Sequence, residues 1–124
     1  EVVKWFYTRL SEKFLKVLAE TTDPQDPEHS VLDNTTVLTC TEICDGSNHN
    51  SKPEDISVTG SAMPTYLPWT LIGGGGGFFK TGQVANFSNF LDHRNILAAL
   101  AESMGVSLTS IGGASVSTPA ELKA

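Results

Sequence analysis

The chain has 124 residues, a hydrophobic fraction of 40% and a formal net charge of −6. This length fits one domain with its own core, and the hydrophobic fraction argues against disorder throughout the chain. The negative charge and the scattered basic residues argue against broad nucleic-acid binding, which needs clustered Lys and Arg to neutralise phosphates. No apolar run approaches the roughly 20 residues that a transmembrane helix needs, so we expect no transmembrane segment.

The first residues show the spacing of an amphipathic helix, predicted from about Val3 to Ala19. Its apolar stripe consists of Val3, Phe6, Leu10, Phe14 and Val17. Such a stripe is expected to pack on a sheet or another helix, which predicts a core element. A helix lying on a membrane is the alternative, but the net acidic chain offers little attraction to anionic lipid. Because Glu1 leads directly into this pattern, we expect a piece of a longer protein, the alternative being a mature chain that has lost a leader.

Two Asp-Pro pairs follow the helix, Asp23-Pro24 and Asp26-Pro27. Each Pro lacks an N–H donor and biases the preceding residue away from the helix, so residues 21–30 are predicted to form an exposed loop. Asp33-Asn34 then indicates a turn into a strand predicted from Thr35 to Thr41. The order of helix, acidic loop and strand is typical of α/β folds.

A second strand is predicted from Trp69 to Ile72, where aromatic and β-branched residues indicate burial. The last strong element is a helix predicted from Asp92 or Asn95 to Met104, with Gly105 just after its end. Its buried stripe is expected to consist of Ile96, Leu97, Leu100 and Met104. His93 either faces a site or hydrogen bonds to the backbone as a helix-entry residue, and the second interpretation is favoured.

Both predicted strands run into irregular loops at their carboxyl ends. In a parallel α/β sheet these ends lie at one edge, where ligands bind. The loops Glu42–Asn50 and Gly73–Gly82 are therefore predicted to be neighbours in one crevice. In the first loop, Glu42, Asp45 and His49 are candidate ligands for a cation such as Zn²⁺, Ca²⁺ or Mg²⁺. The alternative is that Asp45 caps a turn and Glu42 pairs with a lysine.

The two cysteines, Cys40 and Cys44, leave the redox compartment open. A turn at Asp45-Gly46 allows a bridge between them, and two free, buried thiols are the favoured alternative. A zinc knuckle formed with His49 is disfavoured because the spacing does not supply two tight pairs of ligands. A redox function ranks last because no C-x-x-C motif is present.

A run of five glycines follows the second strand, and glycine allows positive φ values and close backbone approach. The candidates for an anion-binding loop are Gly73, Gly74, Gly75, Gly76, Gly77 and Lys80. The run lacks the Lys-Ser/Thr placement of a Walker A motif and the G-x-G-x-x-G spacing, so a nucleotide site is disfavoured. The favoured role is conformational, with the loop folded against the strand ends and Phe78 and Phe79 in the core beneath it.

Four short blocks occur in a recognisable order. They are Leu32-Asp33-Asn34-Thr35-Thr36-Val37, then Asp45-Gly46-x-Asn48-His49, then Pro68-x3-Ile72 with Gly73–Gly77 and Lys80-Thr81-Gly82, then a helix with Asn95-Ile96-Leu97 that ends in Met104-Gly105-Val106. This order resembles the C-terminal part of an uncharacterised family of secreted bacterial proteins, which is distantly similar to the alkaline phosphatase and sulfatase superfamily. The resemblance covers about residues 11–113, and its most specific part is the Pro68–Gly82 block combined with Leu-Asp-Asn-Thr upstream.

The resemblance implies an α/β fold in which this chain is the C-terminal part of a mostly parallel sheet flanked by helices, alkaline phosphatase-like and incomplete by itself. Residues 1–113 would belong to that domain, and residues 114–124 would form a surface tail. Hydrolases of the superfamily carry a metal-binding Asp followed by His where this chain has Thr41-Glu42-Ile43. One carboxylate matches, the adjacent His is missing, and His49 is its candidate substitute. The nucleophile and the remaining ligands would lie in an N-terminal portion.

Two functions follow from this resemblance. The favoured one is a secreted, periplasmic or cell-surface bacterial protein that kept the fold, lost the chemistry and acts as a structural or assembly subunit with a degenerate active site. The alternative is the C-terminal half of a metal-dependent phosphate- or sulfate-ester hydrolase, in which the cation polarises the ester and Lys80 aids the anion. In both cases the expected partner is a companion chain or the N-terminal portion of the same precursor.

Overall fold

A computed structural model describes residues 1–40, 69–85, 87 and 91–124 of the chain. The described residues form a small mixed α/β structure, with helical segments near residues 2–20 and 93–103 and three short antiparallel strand pairs. The chain divides into two compact units, a larger one formed by residues 1–36 and 73–124 and a smaller one formed by residues 37–72. The predicted α/β class is confirmed at this level.

The N-terminal helix runs without a break from Val2 to Glu20, which confirms the predicted helix. It consists of α1 (Val2–Arg9), a π-helical segment (Leu10–Leu15) and α2 (Lys16–Glu20). A π-helix closes its hydrogen bonds one residue later than an α-helix, so this segment alters the phase of the apolar stripe half-way along the helix.

The N-terminal helix is not the predicted core element. Large apolar side chains are exposed along it: Val2, Val3, Trp5, Phe6, Tyr7, Phe14 and Val17. The C-terminal end of this helix is connected to the rest of the larger unit. There the Leu32 N–H donates to the Leu18 carbonyl over 3.2 Å. Leu18 is accordingly half-buried, whereas the residues of α1 extend away from the packed part of the unit and remain exposed.

The predicted acidic loop is a β-hairpin. Strand β1 (Thr22–Asp23) pairs antiparallel with β2 (Asp26–Ser30), and Pro24 and Gln25 make the turn between them. The Gln25 N–H donates to Asp23 Oδ1 over 2.8 Å, an Asx turn in which the side chain replaces a backbone acceptor. Pro24 thus occupies a turn position, where a missing N–H costs nothing.

The smaller unit contains a two-stranded ribbon. Strands β3 (Val37–Cys40) and β4 (Trp69–Ile72) pair antiparallel, with Val37 opposite Ile72 and Cys40 opposite Trp69. Both strands were predicted, but the mostly parallel sheet was not found, because each strand pair in the described part of the chain is antiparallel. The carboxyl ends of β3 and β4 therefore lie at opposite ends of the ribbon, which removes the reason for placing their loops in one crevice.

The last predicted helix, α3, spans His93–Ser103. Asp92 is its N-cap, because its side chain accepts from the Arg94 N–H over 2.9 Å. Gly105, at φ +79°, donates to the Glu102 carbonyl and Val106 donates to the Ala101 carbonyl, which is a Schellman motif. The buried residues of α3 are Ala98 and Ala99. Met104, predicted in the buried stripe, is 74% exposed because the helix has already ended there.

Residues 114–124 differ from the predicted surface tail. Strand β6 (Ala114–Ser115) pairs with β5 (Ser110–Ile111), so this hairpin crosses the predicted boundary at residue 113. A 3₁₀ turn (Ala120–Leu122) follows, and Leu122 is only 9% exposed. The described core of the larger unit consists of Phe79, Ala98, Ala99 and Leu122. A surface tail was expected because these residues are small and polar, yet one apolar side chain anchors them.

Candidate functional site

The predicted metal ligands Glu42, Asp45 and His49 lie outside the described residues, and so does Cys44. Within residues 1–40, 69–85, 87 and 91–124, no group of three or more His, Cys, Asp or Glu side chains is arranged to hold a metal. Cys40 carries a free, exposed thiol, which differs from the buried thiol expected from the sequence. It is the last residue of strand β3.

The glycine run lies directly on the turn that contains Asp33, and this brings together the two most specific blocks of the resemblance. An ideal Cβ on Gly73 would be 2.1 Å from the Thr35 carbonyl oxygen, and one on Gly74 would be 2.8 Å from the Asp33 carbonyl oxygen. Such distances are below van der Waals contact, so only glycine fits here. The run therefore allows backbone to lie against backbone.

The amide groups of this loop are used within the chain. Gly75 N–H donates to the Thr35 carbonyl over 3.3 Å, and Gly76 N–H donates to the Asp33 carbonyl over 3.0 Å. The N–H groups of residues 77–79 donate to the carbonyls of Gly74 and Gly75. A phosphate loop instead leaves successive N–H groups pointing at the anion. The geometry of residues 75–79 thus matches a structural loop.

Two phenylalanines follow the glycines and tie the loop to the C-terminal residues. Phe79 is 5% exposed, and its ring meets that of Phe78 edge to face at 4.9 Å between centroids. Phe79 and Lys123 form an antiparallel bridge, in which Lys80 N–H donates to the Leu122 carbonyl over 2.9 Å. Lys80, the predicted anion-binding side chain, is exposed beside this bridge.

The side chain of Lys123 makes two further contacts beside this bridge. Its ammonium is 2.6 Å from Glu102 Oε1 and 5.6 Å from the centroid of the Phe78 ring. The hydrogen bond from Lys123 is the main reason that the pKa of Glu102 lies below its usual value. The last residues of the chain are thereby fixed to helix α3 by charge and to residues 78–80 by backbone pairing.

An acidic network joins the hairpin to the turn that carries the glycine loop. Asn34 Nδ2 donates to Asp23 Oδ2 over 2.9 Å and to Asp26 Oδ2 over 3.3 Å. His29 Nδ1 lies 2.9 Å from Asp26 Oδ2, and His29 is exposed, as predicted. The hydrogen bond from Asn34 holds the pKa of Asp23 below its usual value. These side chains are partnered with one another, so the network is explained by local folding.

Two further carboxylates have similar structural roles. Asp33 Oδ2 accepts from both the backbone N–H and the hydroxyl of Ser30, and these bonds lower its pKa. Asp92 accepts from the Arg94 guanidinium and backbone N–H, which hold the pKa of Asp92 down at about 2. His93 is exposed, and its Nδ1 is 3.7 Å from Asp92 Oδ1. The hydrogen bonds of Asp33 and Asp92 thus serve the local fold.

The feature that sequence reasoning missed is the exposed apolar face of α1. We call Val2, Val3, Phe6 and Tyr7 the N-terminal apolar surface. Their side chains are between 47% and 79% exposed, and the rings of Phe6 and Tyr7 meet edge to face at 5.3 Å. A signal was present in the sequence, because Val2 and Trp5 lie outside the predicted stripe and make α1 apolar on more than one side.

Comparisons with known proteins identify no relative of this chain. No protein-family model, no curated protein and no solved structure matches this chain. In the described part of the chain, no helix has the length and apolar character needed to span a membrane. The N-terminal apolar surface and the geometry around the glycine loop are the structural features that bear on function.

Proposed function

We propose that this chain is a structural subunit of an extracellular assembly, secreted or held at a bacterial cell surface, and that a companion polypeptide covers its N-terminal apolar surface. The observation that carries this proposal is the exposure of Val3 (69%), Phe6 (49%) and Tyr7 (47%) on one side of α1. Burying a large apolar side chain contributes about 1.5–3 kcal/mol, so leaving several adjacent ones in water is unfavourable. Exposed apolar patches of this kind mark interaction sites.

The companion is either a separate chain or the N-terminal portion of the same precursor. We also propose an alkaline phosphatase-like fold for the assembled protein, supported by the close contact between the Leu32–Thr36 and Gly73–Gly77 blocks. Because β3 and β4 pair antiparallel, the parallel strands of such a sheet would come from the companion. A two-stranded ribbon is marginal by itself, which is consistent with completion by further strands.

The proposal is tested on the protein purified from its source cells, by native mass spectrometry and by light scattering during gel filtration. We expect the chain in a stoichiometric complex with a second polypeptide, or within a longer precursor. The double variant V3S/F6S should release the companion, and the control Val84→Ser should not, because Val84 is 95% exposed elsewhere in the same unit. A lone chain of 124 residues from the source would overturn the proposal.

Metal analysis of the same material distinguishes the hydrolase alternative. Stoichiometric Zn²⁺, Ca²⁺ or Mg²⁺ that is lost in a Glu42→Gln variant would favour a metal-dependent ester hydrolase over a subunit with a degenerate site. We expect no stoichiometric metal, because the metal-binding Asp-His pair of the superfamily is replaced by Glu42-Ile43. An Asp45→Asn variant serves as the second ligand test.

A further inference from the structure

We infer that the companion presents an apolar groove bordered on both sides by carboxylates, into which α1 inserts. This inference rests on the proposed function and specifies the chemistry of the partner. It follows from three properties of α1: the breadth of its apolar arc, the basic residues at both borders of that arc, and an aromatic side chain on its far side.

The arc is broad. At about 100° of rotation per residue, Val2, Phe6, Val3 and Tyr7 span ~140° of the circumference of α1. This width exceeds the narrow seam of a two-stranded coiled coil and suits a helix lying in a groove. The Phe6 and Tyr7 rings meet edge to face, an arrangement that aromatic pairs favour.

Both borders of the arc are basic. On the same rotation, Arg9 lies ~20° beyond Val2 and Lys4 lies ~60° beyond Tyr7. Both side chains are exposed, and neither forms an ion pair with any residue of the described ranges. Half of the eight basic residues of the chain lie within residues 1–20, although the whole chain is acidic. A complementary partner therefore carries carboxylates along the two rims of its groove.

A second copy of this chain does not provide such a partner. If two N-terminal apolar surfaces met, each border of one helix would face a border of the other. Since one border carries Lys4 and the other Arg9, either a parallel or an antiparallel pairing would place basic side chains opposite each other. Like charges across an interface act against association, so charge favours a different polypeptide.

A membrane surface fits less well than a groove. Trp5 is 59% exposed and lies ~160° around α1 from Val3, on the side that would face water if the helix lay on lipid. The acidic hairpin with Asp23 and Asp26 follows the helix directly and would be repelled by anionic headgroups. Both features favour a protein partner over a lipid surface.

The test uses two synthetic helical-hairpin peptides with the same Leu-lined groove, one bordered by Glu and the other by Lys at the same positions. Binding to the full chain is measured by calorimetry. We expect the Glu-bordered peptide to bind at least about tenfold more tightly, since two added ion pairs amount to roughly that factor. The double variant K4E/R9E should reverse the preference, whereas Lys80→Glu, the same charge change at an exposed site elsewhere, should retain it.

Every other outcome overturns the inference. Equal binding of both peptides, no binding of either, or a preference that K4E/R9E leaves unchanged would show that carboxylate borders do not define the partner. Sedimentation with phosphatidylserine-containing vesicles that is lost in Phe6→Ser would assign the surface to lipid, and a doubled mass lost in the same variant would assign it to a second copy. If native mass spectrometry still finds a companion in these cases, the proposed function stands and only this inference fails.

Discussion

Gly73 and Thr35 approach so closely that no side chain can stand between them, since a Cβ on Gly73 would lie 2.1 Å from the Thr35 carbonyl oxygen. The same Cβ would also lie 2.8 Å from the Leu32 carbonyl oxygen, and Gly73 has a φ of +98°. Glycine is therefore required here for two separate reasons, the backbone conformation and the available space. Neither oxygen can move far, because both belong to the backbone of one tight turn.

Replacing Gly73 by Ala should destabilise the fold severely. The clash with two carbonyl oxygens and the positive φ together predict a loss of at least about 3 kcal/mol in the free energy of unfolding. Urea denaturation followed by circular dichroism measures the change. Gly77→Ala is the matched control, because Gly77 also has a positive φ (+83°) but no atom within 4 Å of its ideal Cβ.

This control separates the effect of the positive φ from the effect of the clash with the carbonyl oxygens. Gly77→Ala should cost only the conformational strain, about 1–2 kcal/mol. If both variants lose the same free energy, the contact with Thr35 and Leu32 carries no weight and the described packing of the loop on the turn is incorrect.

Asp92 should make the stability of the folded chain depend on pH under acidic conditions. Hydrogen bonds from Arg94 lower the pKa of Asp92 from 3.8 to about 2 in the folded chain, so the stabilisation is present above pH 4 and is lost as the pH falls toward 2. Asp92→Asn retains a capping oxygen but removes the charge, and it should remove this pH dependence. Thermal unfolding at a series of pH values from neutral to acidic measures the difference.

Asp92→Ala removes the capping oxygen as well as the charge. Loss of an N-cap costs about 1 kcal/mol, so this variant should be less stable than Asp92→Asn even at pH 2. Equal stability of the two variants at every pH would show that the hydrogen bond to the Arg94 N–H contributes nothing.

Leu122 should be necessary for the larger unit. Truncation to Ala removes a side chain that is only 9% exposed, and such truncations cost about 2–5 kcal/mol. Met104→Ala is the comparison, since Met104 is 74% exposed on the same unit and should change stability by less than about 0.5 kcal/mol. Chemical denaturation of both variants gives the two values, and a small loss for Leu122→Ala would indicate that the C-terminal turn is not docked.

Asn34 should control the ionisation of Asp23. Because the Asn34 amide is the first cause of the lowered pKa of Asp23, Asn34→Ala should raise that pKa toward its usual value. Asp33 is an internal control, because its pKa is lowered mainly by Ser30 and should stay where it is. Carbon-detected NMR titration of the carboxyl groups resolves both, and an unchanged Asp23 would contradict the hydrogen bond.

Local patterns predicted the local elements well. The N-terminal helix and α3 followed from apolar spacing, and Gly105 was recognised as the residue after the end of α3 because a positive φ there favours glycine. The hairpin at residues 22–30 was missed for a local reason as well. On sequence grounds Pro24 favours an irregular loop, whereas in the structure it stands at the turn between two strands.

Long-range relationships were harder to predict. Nothing in the two strand sequences distinguishes a parallel from an antiparallel pairing of β3 with β4, because both are short and apolar. The buried residues of α3 are Ala98 and Ala99, whereas the spacing rule favoured larger residues. Amphipathic spacing predicts that a helix face is covered, but it does not show what covers that face. The core prediction for the N-terminal apolar surface is wrong for this reason.

The chain leaves the larger unit after Thr36 and rejoins it at Gly73, and the close approach of Gly73 to Thr35 holds the exit and the return side by side. Residues 37–72 are thus an insertion in the sequence of the larger unit, and we expect them to be replaceable. Protein engineers can excise this segment and join its ends with a tight hairpin, or graft a foreign ribbon there. The host core around Phe79 would keep its own sequence in either construction.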